Sequence, residues 1–188
     1  MTKLLILSDS HSNRLALEHI LKAEADHIDA LIFLGDGLRD LEQTLTLYPR
    51  LRAYAVAGNC DFGALEPLDG LAAFDGVVVF YTHGHMYGVK YDLDTLSDAA
   101  AARGANVALF GHTHVPVAEQ RGDVFLFNPG SIGRRFYMDM LQLDEAEFEL
   151  IRRARRGECL FKCGAERYHL KVIAPDHKAV LFGTAGGK

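Results

Sequence analysis

Cysteine is scarce in this chain, with three residues in 188, too few for a disulfide framework. Cys159 and Cys163 lie close in sequence, but no second cysteine pair accompanies them, so a structural zinc is not expected. Cationic charge is also short. Twenty Lys and Arg face 25 Asp and Glu, for a net charge of -5. That balance gives no broad footprint for nucleic acid, and no stable nucleic-acid complex is expected. The one basic cluster, Arg152-Arg153 and Arg155-Arg156, reads as solvated surface. No apolar run approaches a membrane span, and Leu4-Leu5-Ile6-Leu7 behind a single Lys3 is too short for a signal-peptide core. Internal repeats and low-complexity tracts are missing as well. These absences point to a soluble, reduced, cytoplasmic protein with no membrane partner. Hydrophobic residues make up 49% of the chain, which excludes bulk disorder.

What the chain does have is a repeated pattern. Five short apolar runs each end in residues that can bind a metal. Leu4-Leu5-Ile6-Leu7 leads to Asp9 and His11, and Ala30-Leu31-Ile32-Phe33-Leu34 leads to Gly35-Asp36. Tyr54-Ala55-Val56-Ala57 leads to Gly58-Asn59-Cys60-Asp61. Val77-Val78-Val79-Phe80-Tyr81 leads to His83 and His85, and Val107-Ala108-Leu109-Phe110 leads to Gly111-His112-Thr113-His114. Such runs read as buried strands, and ligands of layered α/β proteins gather at strand carboxyl ends. Oxygen and imidazole donors without a required thiolate suit hard-to-borderline divalent ions. A two-metal hydrolytic site is the expectation.

The rest of the pattern sets the fold class. Ser12-Asn13 can cap a helix whose apolar face is Leu17, Ile20, Leu21, Ala25 and Ile28. A second helix is expected over 38–48, ended by Pro49, and a third strand over 51–57. Alternation of strand and helix argues for parallel βαβ units. Asp75-Gly76 between apolar runs signals a tight hairpin. A helix over 92–103 and a strand at 107–110 follow, then a turn at Arg121-Gly122-Asp123. Hairpins are expected from 137–143 with 148–152, and from 170–174 with 178–182. The second half thus reads as mostly antiparallel. An α/β fold of two packed mixed sheets flanked by helices, a four-layer α/β/β/α sandwich, accommodates both halves. Residues 1–156 would form it, and 157–188 would be an extension with an extra hairpin and a flexible tail.

Taken together, Asp9-x-His11, Gly35-Asp36, Gly58-Asn59-x-Asp61, His83 and Gly111-His112-x-His114 resemble the calcineurin-like metallophosphoesterases. Asn128-Pro129-Gly130-Ser131 is similar to the segment that follows in the small bacterial and archaeal phosphodiesterases of that superfamily. The resemblance runs over roughly residues 3 to 152. It implies that Asp9, His11 and His114 hold one metal, that Asn59, His83 and His112 hold a second, and that Asp36 bridges them. It implies two divalent ions, Mn²⁺ ahead of Zn²⁺, Fe²⁺, Ni²⁺ or Co²⁺. The implied reaction is hydrolysis of small phosphodiesters by a metal-activated hydroxide. A phosphomonoesterase or protein phosphatase is the alternative, and a non-catalytic scaffold of the same fold the rival from another class. Scaffolds of this fold have lost metal ligands, whereas all seven positions are filled here. A homo-oligomer stays open.

Residues around these motifs carry expectations of their own. Many superfamily members have a His, resembling a general acid, where this chain has Cys60; His85 is the nearest candidate to replace it, the alternative being a loop residue or one that partners a ligand. Asp61 reads as a turn residue, or one that orients a nearby His. Asn128-Pro129-Gly130-Ser131 reads as a structural turn whose Ser131 can help hold the site loops. His19, His27, His169 and His177 lie outside every motif and read as surface or structural.

Overall fold

The computed structural model describes residues 2–134, 138, 143–153, 158–163 and 166–171. The chain divides into two compact units, Met1–Phe136 and Tyr137–Lys188.

In the first unit, β1 (Leu4–Leu7), β2 (Ala30–Phe33) and β3 (Ala53–Ala55) form a three-stranded parallel sheet in the order β1-β2-β3. The crossovers carry α1 (Arg14–Glu24) and α2 (Leu38–Leu45). Asn13 caps α1, its side chain accepting from Ala16 N–H at 3.1 Å. A second sheet contains β4 (Asp69–Phe74), β5 (Val77–Thr82), β6 (Val107–Leu109), β7 (Val117–Arg121) and β8 (Val124–Asn128), in the order β4-β5-β6-β8-β7. Between β5 and β6 runs α3 (Asp94–Ala102). The β4–β5 turn places both Asp75 (φ 48°) and Gly76 (φ 85°) in the left-handed region, as a two-residue hairpin requires.

Strand alternation sorts the core into layers. In β2, Leu31 and Phe33 pack with Leu17 and Leu21 of α1 and Leu38 and Leu41 of α2. The intervening Ile32, with Leu34 and Val56, packs on Val79, Tyr81 and Leu109 of the other sheet. Phe80, Ala108 and Phe110 face the opposite way, onto Leu96 and Ala100 of α3. The order is helices, sheet, sheet, helix, the expected four-layer sandwich of two sheets. Both faces of the central strands are covered, so they read as continuous apolar runs.

Two expectations are corrected here. The second half of this unit is not mostly antiparallel: β5, β6 and β8 are mutually parallel, and only the outer strands β4 and β7 run antiparallel. The turn signals at Asp75-Gly76 and Arg121-Gly122-Asp123 report the hairpins truly, but each hairpin adds an edge to a parallel centre.

In the second unit, residues 148–152 are helical, within α4 (Glu145–Arg153), and not a hairpin strand. A reciprocal cap explains why. Glu147 N–H donates to Asp144 Oδ1 at 2.8 Å, and Asp144 N–H donates to Glu147 Oε2 at 2.9 Å. The unit also contains an antiparallel hairpin of β9 (Glu158–Cys163) and β10 (Glu166–Lys171). Nearly all of the hairpin expected from 170–174 with 178–182 lies outside the described residues. No described helix is long and apolar enough to cross a membrane.

Ile32 is fully buried between the two sheets. Ile32→Ala should cost about 3 kcal/mol and lower Tm by roughly 6–12 °C. A melting curve unshifted from wild type would show that the sheets do not share this core.

Candidate metal centre

Every expected donor sits on a loop leaving a strand's carboxyl end, and the backbone there is unusual. Asp9 (φ 58°), His11 (φ 47°), Asp36 (φ 56°), His112 (φ 66°) and His114 (φ 60°) all adopt left-handed conformations. For residues with a Cβ this costs of order 1–3 kcal/mol each and persists only where surroundings enforce it. Cross-loop hydrogen bonds do the enforcing. Asp9 N–H donates to Gly35 C=O and His11 N–H to Asp36 C=O, each at 3.0 Å. Gly111 N–H donates to His83 C=O at 3.1 Å, and Ile132 N–H to Ser8 C=O at 3.1 Å. The loops after β2 and β3 touch through Gly35 and Gly58. A Cβ on Gly35 would lie 2.6 Å from Gly58 N, and one on Gly58 would collide with the Asp36 carboxylate.

Asp61 is the anchor of this arrangement. Its Oδ1 accepts from Gly37 N–H and Leu38 N–H at 2.9 Å each. Its Oδ2 accepts from Asp36 N–H at 2.7 Å and Gly58 N–H at 2.9 Å. The carboxylate therefore ties the Asp36 loop to the Gly58 loop and supplies negative charge at the start of α2. The expected alternative, an Asp61 carboxylate orienting a nearby His, has no counterpart among the described residues. Asn128 and Ser131 act similarly on the other side. The Asn128 amide donates to Gly111 C=O at 2.9 Å and to Thr113 Oγ1 at 3.1 Å, and Ser131 Oγ donates to Asp9 C=O at 2.8 Å.

Two donor clusters result. The first joins Asp9, His11 and His114. His11 Nε2 and His114 Nε2 are 2.9 Å apart, and Asp9 Oδ1 lies 3.2 Å from His114 Nε2 and 3.6 Å from His11 Nε2. The second joins Asp36, His83 and His112. His83 Nδ1 lies 2.7 Å from Leu34 C=O, a partner that can only accept, so Nδ1 carries the proton and Nε2 keeps its lone pair. That Nε2 faces Asn59 Oδ1 and His112 Nδ1 at 3.1 Å each, and Asp36 Oδ2 at 3.5 Å. Asp36 Oδ2 is also 3.9 Å from His11 Nε2, so it stands between the clusters.

The donor chemistry fits divalent cations. Asp9 is fully buried, yet its Oδ1 accepts no hydrogen bond. A buried carboxylate oxygen and imidazole nitrogens converging on one point is an arrangement a cation relieves. Burial alone would raise the Asp9 carboxyl, but the His11 and His114 rings and the Ser8 hydroxyl outweigh it and hold it well below the usual range. Burial, with the nearby Lys90 charge, pushes His112 down to about 4, which leaves its lone pair free.

Two residues border the clusters. The Cys60 thiol groups with His11 and Asp36, and its N–H donates to Asp36 Oδ1 at 2.8 Å. Desolvation, together with Asp36, Asp61 and Asp9, pushes this thiol up to about 11. The His85 ring lies 5.4 Å from that of His83 and 6.1 Å from that of His112, beside the second cluster. Its Nδ1 has no hydrogen-bond partner, and burial and His83 push its pKa down. His19 and His27 are exposed, on α1 and in the turn that follows it.

The family model of the calcineurin-like phosphoesterase superfamily domain matches residues 2–144. The chain belongs to this superfamily. It is 37% identical to a probable metallophosphoesterase, YsnB, of Bacillus subtilis, over 68% of this chain and 73% of that one. With the Escherichia coli phosphodiesterase YfcE it shares 33% identity over 70% of this chain and 80% of that one. The solved structure of a YfcE phosphoesterase from E. coli matches with TM-score 0.55 at 30% identity, over 69% and 80% of the two chains. A conserved Streptococcus pneumoniae protein, described as a predicted phosphoesterase, matches with TM-score 0.63 at 29% identity, over 71% and 74%. Members of this superfamily act through divalent metal ions, in agreement with the donor clusters.

Asp61→Ala strips a carboxylate from four backbone donors. It should cost at least about 2 kcal/mol in urea unfolding and weaken metal binding without removing a ligand. Wild-type stability and metal affinity in this variant would show that Asp61 is dispensable to the loops.

Proposed function

We propose that this chain hydrolyses small phosphodiesters at a dinuclear centre. The observation that carries the reading is Asp36 Oδ2 poised between the two donor clusters, 3.9 Å from His11 Nε2 and 3.5 Å from His83 Nε2. Asp9, His11 and His114 would hold one cation, Asn59, His83 and His112 the other, and Asp36 both. Mn²⁺ is the first choice of metal, because the donors are oxygens and imidazoles with no required thiolate. Bound there, the cations would supply Lewis-acid charge at the phosphate oxygens and make water acidic enough to serve as nucleophile near neutral pH. The Escherichia coli relative named a phosphodiesterase supports diesters as the substrate class. The scarcity of cysteine supports a cytoplasmic setting.

The chain's own residues divide the remaining work. Leu34 C=O fixes the His83 tautomer, so its donor atom needs no proton loss. Asp36 and Asp9 offset cationic charge, while neutral imidazoles and the Asn59 amide keep the shell from repelling a phosphate. His85, whose ring stands beside the second cluster, is assigned the proton for the departing oxygen. A thiol is the weaker acid near neutral pH, so Cys60 is assigned no proton transfer.

Removal of divalent ions by a chelator should abolish hydrolysis of bis(4-nitrophenyl) phosphate, and Mn²⁺ should restore it. Asp36→Asn should be the most damaging single change, costing more than about a hundredfold. Full activity in protein shown metal-free by elemental analysis would sink the mechanism. Across aryl diesters of graded leaving-group basicity, Cys60→Ala should lose less than about tenfold in kcat/KM. His85→Ala should lose about 10²–10⁴-fold, more steeply as the leaving group becomes more basic. The reverse pattern would make the thiol the acid.

A further inference from the structure

A cavity of about 540 Å³ opens off the donors, with His11, Asp36 and Cys60 among its lining residues. That is far more room than one phosphate group needs, and it falls in the range of roughly 300–1,000 Å³ usual for small-molecule sites. The cavity extends along α2 and the loop after β3. His85 is not among its lining residues, and with His85 assigned to protonate the departing oxygen this space is left to the other alcohol.

Its wall has a definite chemistry. Phe62 stands on it 92% exposed, an aromatic ring with almost no protein covering it. Glu42, Glu66 and Asp40 line it against a single Arg39. Asp40 accepts from Ser10 Oγ at 2.7 Å, while Glu42 and Glu66 make no salt bridge to any described residue. A second phosphate group would meet net negative charge there. A cationic nitrogen would meet two carboxylates that no described residue neutralises and a ring face, the combination that attracts ammonium groups.

Building on the phosphodiesterase reading, we propose that this cavity receives the alcohol that stays on phosphorus, and that it selects an alcohol bearing an ammonium group over one bearing a second phosphate. The product is then a phosphomonoester of an amino alcohol. Glu42 and Glu66 set the charge preference, and Phe62 provides the face on which the cation rests.

Product-like probes test this without turnover. Ethyl phosphate, phosphocholine and 1,2-ethanediol bisphosphate share a two-carbon chain and differ in the charge at its far end. Calorimetric titration of the metal-loaded full chain should give roughly tenfold tighter binding of phosphocholine than of ethyl phosphate, with the bisphosphate no tighter than ethyl phosphate. The double variant Glu42→Gln with Glu66→Gln, and separately Phe62→Ala, should bring phosphocholine to within about twofold of ethyl phosphate. These side chains are exposed, so the variants should fold. Tightest binding of the bisphosphate, equal binding of all three probes, no binding of any, or a phosphocholine advantage untouched in both variants would overturn the proposal. If the expected order holds while no diester is hydrolysed, the reaction reading fails and the cavity assignment stands.

Discussion

One carboxylate gathers four backbone amides. Asp61 accepts from Asp36, Gly37, Leu38 and Gly58, and so clamps the loop after β2 to the loop after β3. That clamp, with the bonds from His11 N–H and Cys60 N–H, holds the left-handed turn at Asp36 that sets its Oδ2 between the two donor clusters. The same logic repeats around the site. Asp9 and His11 hold costly backbone conformations with their N–H groups donating to Gly35 C=O and Asp36 C=O, Ser131 Oγ donating to Asp9 C=O, and His112 N–H donating to the Asp9 carboxylate. The loops form one hydrogen-bonded frame, and the rigid sheets beneath it fix where each loop begins.

The sheets matter for a second reason. Ile32, Leu34 and Val56 pack on Val79, Tyr81 and Leu109, locking two sheets face to face. Donors that leave β1, β2 and β3 can therefore meet donors that leave β5 and β6 at fixed distances. A site split across two sheets depends on the core between them as much as on its own ligands.

Much of this was legible in the sequence. Apolar runs marked the strands, and the polar residue at the end of each run marked a donor, because strand burial and strand-end function use different residue types. Asp75-Gly76 marked a hairpin because few residue pairs accept two positive φ angles. Three features were hidden. The parallel pairing of β5, β6 and β8 depends on long-range register, and the adjacent hairpin turns gave the opposite impression. The helix at 145–153 carried its signal in the Asp144–Glu147 cap and not in the apolar spacing that suggested a strand. The role of Asp61 lay in backbone groups, which no side-chain pattern reports. The family match ends at residue 144, so most of the unit from Tyr137 onward lies beyond it.

The central claim is that one carboxylate joins two cations. Electron paramagnetic resonance of the chain titrated with Mn²⁺ tests it most directly. The account predicts two ions per chain at saturation with the exchange-coupled spectrum of a bridged pair, and loss of that coupling in Asp36→Asn. A single uncoupled ion at saturation, or coupling that survives in Asp36→Asn, would contradict it.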